Sequence, residues 1–138
     1  MAGETDLDKL IREIDPELNP GEYVFCTLKP GKPPADLELL GSFREKEGLT
    51  AILSRALADQ AGLPYSFVGA WITLNVHSDL EAVGLTAAVS RALARAGISC
   101  NVVAGFYHDH LFVPLKDGNR AIEILRELAR TRYKVPGG

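Results

Sequence analysis

Near the N-terminus the apolar positions fall at helical spacing. Leu7, Leu10, Ile11 and Ile14 form one stripe, Thr5 or Asp6 can cap its start, and Pro16 stops the helix soon after Ile14. The period then changes. After a turn at Asn19–Glu22, the stretch EYVFCTLK at Glu22–Lys29 reads as a short strand of β-branched and aromatic residues. Three prolines and a glycine make Pro30–Asp36 a loop. Tyr65–Val76, YSFVGAWITLNV, is a long strand. Ser78 stands three residues before Glu81, the capping-box spacing, so a helix is predicted from Ser78 to Gly97. Leu85, Val89, Ala92 and Leu93 share its apolar face, and Gly97 supplies a left-handed exit. Gly84 is awkward there, because glycine inside a helix costs about 1 kcal/mol relative to alanine. Two strands within Ile98–Tyr107 and His110–Leu115 follow, around a tight turn at His108–Asp109. A last helix starts from an Asp117 cap, with Ile122, Leu125, Leu128 and Ala129 facing one way.

One stretch is ambiguous. Gly48–Ala58 reads GLTAILSRALA and Gly84–Ala94 reads GLTAAVSRALA, nine of eleven positions being identical. Periodicity allows the first copy to be a helix, or a hairpin of LLGSFR and LTAILS turning through Glu45–Gly48 with a short helix RALADQAG after it. A second comparison decides between them. SFREKEGLTAILSRALADQAG and FYHDHLFVPLKDGNRAIEILR both run aromatic, charged turn, apolar strand, polar break, helix, with LTAILS opposite LFVPL. The hairpin reading follows, and the chain becomes two halves on one plan, each needing the long central strand to complete its sheet and expected to pack on the other to bury its apolar face.

Composition narrows the function. The chain has 138 residues, 46% apolar and 24% charged, which suits one compact domain or two small ones. A net charge of −3 with no basic stripe gives no footprint for nucleic acid. No apolar run reaches membrane-spanning length, and the acidic start MAGETDLDKL lacks the pattern of a signal peptide, so a cytoplasmic protein with no membrane partner is expected. Cys26 and Cys100 lie in apolar strands without a cysteine framework and read as reduced thiols. There is no nucleophile elbow, phosphate loop or HExxH pattern, so the chain is read as non-enzymatic, with no catalytic residues and no cofactor. His108-Asp109-His110 offers two local imidazoles and no third ligand. His77 is expected far from them, so no metal site is expected and hydrogen bonds pinning the hairpin are. Trp71 and Tyr65 are expected to pack the sheet.

The segment ITLNVHSDLEAVGLTAAVSRALARAGISCNVVAGFYHDHLFVPL resembles the ACT domain, a ligand-sensing module of amino-acid metabolism. GEYVFCTL, FREKEGLTAIL and YHDHLFVP together resemble, more narrowly, a family of small stand-alone tandem ACT proteins of bacteria, over roughly Asp6 to Arg130. The resemblance implies an α+β fold of two ferredoxin-like ACT halves of βαββαβ type, with antiparallel sheets carrying helices on one face. Residues 1–65 would form a degenerate N-terminal half, its first helix reduced to the proline-rich loop, and residues 66–138 a C-terminal ACT domain. It further implies a small effector, often an amino acid, held between paired units by the loop Asn75–Gly84 and the facing strand Ser99–Val103, with a homodimer as the default assembly.

The candidate ligand-binding residues are therefore His77, Ser78, Asp79, Leu80, Gly84 and Asn101. Ser78 is most simply the helix cap. Asp79, a first-turn carboxylate, can stabilise the helix dipole or receive an ammonium. Gly84 either allows the helix to pack closely on a counterpart or lets a ligand carboxylate reach the N–H groups at the helix start. The Asn101 amide can bridge backbone at a sheet edge or hold an effector's polar end. The function expected is a non-catalytic regulatory sensor of an amino acid. The alternative is an ACT-fold interaction scaffold that pairs with itself or with an enzyme and binds no small ligand.

Overall fold

The computed structural model of the protein describes residues 6–29 and 36–131. The loop predicted at Pro30–Asp36 lies outside them apart from Asp36, which is in a turn, and Thr5 also lies outside. In chain order the elements are α1 (Leu7–Arg12), β1 (Pro16–Leu18), β2 (Tyr23–Leu28), β3 (Gly41–Arg44), β4 (Leu49–Ser54), α2 (Arg55–Gln60), β5 (Val68–Leu74), α3 (Leu85–Arg95), β6 (Asn101–Ala104), β7 (Asp109–Pro114), a 3-10 turn at Leu115–Asp117, and α4 (Gly118–Thr131). The chain folds as two compact units. One combines the residues up to Asn19 with those from Ala70 onward, and the other is Pro20–Gly69, inserted between them in the sequence.

In the first unit the strands lie in the order β1, β5, β7, β6. β1 runs antiparallel to β5 with Pro16 opposite Leu74 and Leu18 opposite Ile72, and β6 and β7 form a hairpin with Asn101 opposite Phe112. Strand side chains alternate between faces. Ala70, Ile72 and Leu74 of β5 and Leu111 and Val113 of β7 therefore point one way, into a core shared with Leu10, Ile11 and Ile14 from the α1 segment, Leu85, Val89 and Leu93 from α3, and Ala121, Ile122 and Leu125 from α4. Trp71, Thr73, His110 and Phe112 alternate with them and face the other way. The stripe predicted for α1 is what is buried, and Asp6 is its cap, its Oδ1 accepting from the Lys9 N–H at 3.2 Å.

Two features of this unit escape the linear pattern. Pro16 does more than stop a helix, because it opens strand β1, a position where its missing N–H is tolerated. Asp15, between α1 and β1, turns the chain with a positive φ of 41°. The N-terminal segment thus supplies the strand that closes the C-terminal unit, and compactness divides the chain at Asn19 and Ala70, whereas the resemblance implied a division at 65/66.

The second unit orders β3, β4, β2 and the start of β5, with Tyr23 opposite both Ser54 and Gly69. Val24, Cys26, Leu28, Ala51, Leu53 and Ala58 form its core. The hairpin reading of Gly48–Ala58 holds. Leu49–Ser54 is strand β4, and Ser54 caps α2 by accepting from the Leu57 N–H at 3.2 Å. The near-identical Gly84–Ala94 is helix from Leu85, and the matching Ser90 sits inside it.

The two hairpins share one register at a spacing of sixty residues. Gly41 faces Ile52 as Asn101 faces Phe112, and the turns close with Glu45 N–H to Gly48 O and Gly105 N–H to His108 O, both at 2.9 Å. Two expectations shift accordingly. LTAILS matches DHLFVP rather than LFVPL, and the second turn is Gly105–His108, which makes Asp109 the first residue of β7. Each unit thus realises the ferredoxin-like α+β plan, a first strand flanked by the hairpin on one side and a closing strand on the other.

Leu10 is fully buried in the core of the C-terminal unit. Leu10→Ala is expected to cost about 2–5 kcal/mol, seen as a lower urea midpoint with the Trp71 signal as probe. A cost below about 0.5 kcal/mol, as for a surface position, would show that α1 does not hold that unit together.

Candidate functional site

The loop from Asn75 to Gly84 leaves β5 and enters α3. The helix starts later than the capping-box spacing predicts. Its first residue is Leu85, its N-cap is Gly84 with a φ of 103°, and no side chain caps it. Ser78 is therefore not the cap. Its hydroxyl is 3.4 Å from the Asp79 carbonyl, a long contact. Asp79 is not in the first helical turn either. Its Oδ1 accepts the Glu81 N–H at 2.8 Å, and its carbonyl accepts the Ala82 N–H at 2.9 Å, which folds Asp79–Ala82 into a compact turn ahead of the helix. The physical reason is Gly84. A left-handed residue cannot continue an α-helix backwards, so the helix can begin only after it.

Gly84 is explained from within its own unit. A Cβ there would come 2.9 Å from Leu7 Cδ2 of α1. The close approach expected against a counterpart helix is made instead to the N-terminal helix. The consequence for chemistry is a helix of eleven residues whose first N–H groups, on Leu85, Thr86 and Ala87, meet no side-chain acceptor among the described residues, the first helical bond being Ala88 N–H to Gly84 O at 2.9 Å.

His77 does not lie far from the other histidines. Its ring centroid is 5.8 Å from that of Tyr107, in the turn of the β6–β7 hairpin, and His108 Nδ1 of the same turn is 3.4 Å from the Val76 carbonyl. Phe106 packs edge-on against Tyr107 at 5.0 Å. The loop and the hairpin turn therefore meet, and both expose apolar surface: Leu80 is 66% exposed, Val83 82%, Phe106 68% and Tyr107 64%. Asn101 is not part of this meeting. It opens β6 at the end away from the turn, about 10 Å off by strand rise, and its Nδ2 donates to the Phe112 carbonyl at 3.4 Å, the sheet-edge bridge. His77, Ser78, Asp79, Leu80 and Gly84 thus all lie on the one loop that enters α3, and Asn101 lies apart. No group of three or more His, Cys, Asp or Glu residues able to hold a metal occurs among the described residues.

A polar cluster on the sheet face away from the helices was not foreseen. Trp71 Nε1 donates to His110 Nδ1 at 3.0 Å, Thr73 Oγ1 lies 3.1 Å from the same nitrogen, and Asn19 Nδ2 donates to Thr73 Oγ1 at 2.9 Å. Trp71 therefore does more than pack the sheet. Burial, and then the neighbouring His108, lower the His110 pKa, while Asp109 opposes them; burial raises the Asp109 pKa against the pull of both histidines. The signal in the sequence was Trp71 and Thr73 two apart on an apolar strand, sharing a face. Tyr65 is likewise polar in its role, its hydroxyl accepting from Arg55 Nε at 2.9 Å and donating to Asp59 Oδ1 at 2.6 Å within the other unit. Cys26 and Cys100 are free thiols, both with pKa raised by burial, Cys100 to about 11, and are therefore protonated and unreactive near neutrality.

Sequence models of the ACT domain match residues 2–70 and again residues 66–127. No protein of curated function matches. Among solved structures, a Vibrio cholerae protein of unknown function, named a possible transport protein, is 48% identical, with 89% of this chain and 95% of that one covered and a TM-score of 0.80. A protein from Agrobacterium tumefaciens shares 21% identity over 83% of this chain and 87% of its own, with a TM-score of 0.64. The regulatory subunit of aspartate kinase from Thermus flavus has the same fold at 9% identity, with coverage of 93% and 99% and a TM-score of 0.63.

Gly84→Ala meets both the positive φ and the Leu7 side chain. It is expected to destabilise by about 1–3 kcal/mol. In the background Leu7→Ala the steric share disappears and only the backbone share of about 1 kcal/mol remains. A double-mutant cycle by urea unfolding measures this, and a coupling of zero would show that Leu7 is not what holds position 84 to glycine.

Proposed function

The chain belongs to the ACT-domain family, with two domains in tandem, and from that premise we propose that it is a regulatory protein whose Asn75–Gly84 loop takes an amino acid or a close zwitterionic analogue. The observation that carries this reading is the start of α3. Gly84 leaves it without a side-chain cap, so its first N–H groups and the positive end of the helix dipole suit a carboxylate. Asp79 precedes it in the same loop with one carboxylate oxygen on the Glu81 N–H and the other able to meet an ammonium. His77, Ser78 and Leu80 complete the lining in this reading. Asn101 joins it only from a second copy, because within one chain it lies at the far end of β6. A homodimer is therefore part of the proposal. Regulatory subunits of aspartate kinase share the fold, which supports a regulatory role by analogy of fold alone.

The reading assigns no catalytic residue and takes the protein to be cytoplasmic; among the described residues no helix is long and apolar enough to cross a membrane. Binding would shift the assembly only by as much as the effector's affinity differs between the two states. A second reading, an interaction scaffold that takes no small ligand, draws on the apolar side chains exposed where the loop meets the hairpin turn.

Thermal unfolding across a panel of amino acids separates the two. A ligand of the folded state is expected to raise the midpoint with concentration, by the equivalent of about 2.7 kcal/mol at a hundred times its dissociation constant. Asp79→Ala is expected to abolish that shift and to cost the free protein about 0.5–1.5 kcal/mol for the lost bond to the Glu81 N–H, leaving it folded. A flat panel on a sharply unfolding protein would favour the scaffold, and an unchanged shift in the variant would remove Asp79 from the site.

A further inference from the structure

The cluster around His110 is a titratable centre that the effector reading leaves unused. Its geometry fixes a protonation state. The indole N–H of Trp71 is a donor and never an acceptor, and it points at His110 Nδ1 at 3.0 Å. That nitrogen must carry a lone pair, so the ring is neutral with its proton on Nε2, as the hydrogen-bond partners require. Thr73 Oγ1, 3.1 Å from the same nitrogen, accepts from Asn19 Nδ2, and its O–H can share that one lone pair with the indole. A proton arriving on Nδ1 changes the two contacts differently. The Thr73 hydroxyl can reverse and accept, whereas Trp71 N–H is left facing another N–H.

The ring's far edge is also engaged. A Cβ on Gly105 would lie 3.3 Å from His110 Nε2 and 2.8 Å from the His108 carbonyl, so the imidazole sits directly under the first residue of the hairpin turn. The same turn brings His108 Nδ1 to 3.4 Å from the Val76 carbonyl and Tyr107 against His77. A ring that shifts to part from Trp71 therefore moves against the turn, and the turn is what touches the loop after β5.

We propose that His110 is a proton-operated latch: neutral, it holds Trp71 and seats the Gly105–His108 turn on the Val76–His77 segment, and protonated, it releases both. The charged groups around it are few. On its own strand are Asp109 and, just before it, His108. Its register partner on β6 is Val103, and β6 carries no charged residue. From β5 it meets Trp71 and Thr73. From the β1 side come Asn19 and, opposite Thr73, Glu17, whose carboxylate accepts from Asn75 Nδ2 at 3.1 Å. Burial and His108 both lower the affinity of His110 for the proton, and Asp109 only opposes them. The sign follows. A histidine whose folded pKa is lowered contributes its full stability above the unfolded value near 6.5, and that contribution falls as the pH drops from there toward the folded pKa. Asp109, whose folded pKa is raised, acts in the opposite sense over a more acidic range, its contribution falling as the pH rises from the ordinary carboxylate value of 3.8. The latch is independent of any effector and stands or falls without one.

The chain contains a single tryptophan, Trp71, so the test has a built-in reporter. Intrinsic fluorescence of the full chain, titrated from pH 8 toward pH 5 with far-UV circular dichroism alongside, is expected to show one step with a midpoint below 6.5, at constant secondary structure. Backbone amide shifts of residues 76–77 and 105–108 are expected to move with the same midpoint. His110→Asn, which keeps an acceptor for the indole and cannot titrate, should abolish the step in both. His108→Asn removes a neighbouring like charge together with the contact to the Val76 carbonyl and leaves the Trp71–His110 bond in place, so it should keep the fluorescence step and raise its midpoint, and this variant carries the test by fluorescence if His110→Asn does not fold. A step that persists in His110→Asn, a flat wild-type titration, or turn and loop amides that do not follow the fluorescence would each overturn the proposal.

Discussion

The edge of β5 between Ile72 and Leu74 needs a hydrogen-bonding partner, and much of the C-terminal unit follows from how it gets one. Unpaired backbone donors and acceptors at a buried edge are costly, and the ferredoxin-like plan normally supplies a closing strand after the last helix. Here the strand comes from the other end of the chain, as Pro16–Leu18. Pairing there fixes the segment before it, so Leu10, Ile11 and Ile14 are carried into the core with α3 and α4. It also brings Leu7 against Gly84, whose φ of 103° favours glycine and where a Cβ would displace the leucine's end. The late, uncapped start of α3 and the turn built on Asp79 thus trace back to a strand pairing some sixty residues away in sequence.

The opposite face of the same sheet is organised by polar contacts. Asn19, Thr73, Trp71 and His110 satisfy one another across β1, β5 and β7, and no buried side-chain polar atom is left without a partner among the described residues. Such networks favour one arrangement because donors must be matched to acceptors, and they are sensitive to a proton for the same reason. In this chain the network stands beside the hairpin turn that meets Val76 and His77.

The two hairpins serve as controls for each other. Their registers coincide and β4 and β7 bury the same three central positions, Ala51 to Leu53 and Leu111 to Val113. Their turns differ. Glu45-Lys46-Glu47-Gly48 is charged, as suits a solvated tip, whereas Gly105-Phe106-Tyr107-His108 exposes two aromatic rings. Since the charged turn shows that the scaffold closes without aromatics, Phe106 and Tyr107 are not demanded by the hairpin itself.

Sequence alone determined the element types wherever a segment's own periodicity settles which face is buried. The α1 stripe, strand β2, the helical identity of Gly84–Ala94 and the α4 face were all legible in it, and the duplicated strand–turn–strand plan resolved Gly48–Ala58 as a hairpin. The family resemblance, carried by motifs along most of the chain, was legible too. Where α3 begins was not. Ser78 and Glu81 have the capping-box spacing, yet Gly84 takes a left-handed conformation under Leu7, a contact between residues far apart in sequence. Strand β1, the closeness of His77 to the hairpin turn, the isolation of Asn101 and the bond from Trp71 to His110 belong to the same class. Each depends on which segments are brought side by side, and a local pattern of apolar and polar residues records what a segment can bury without recording against what.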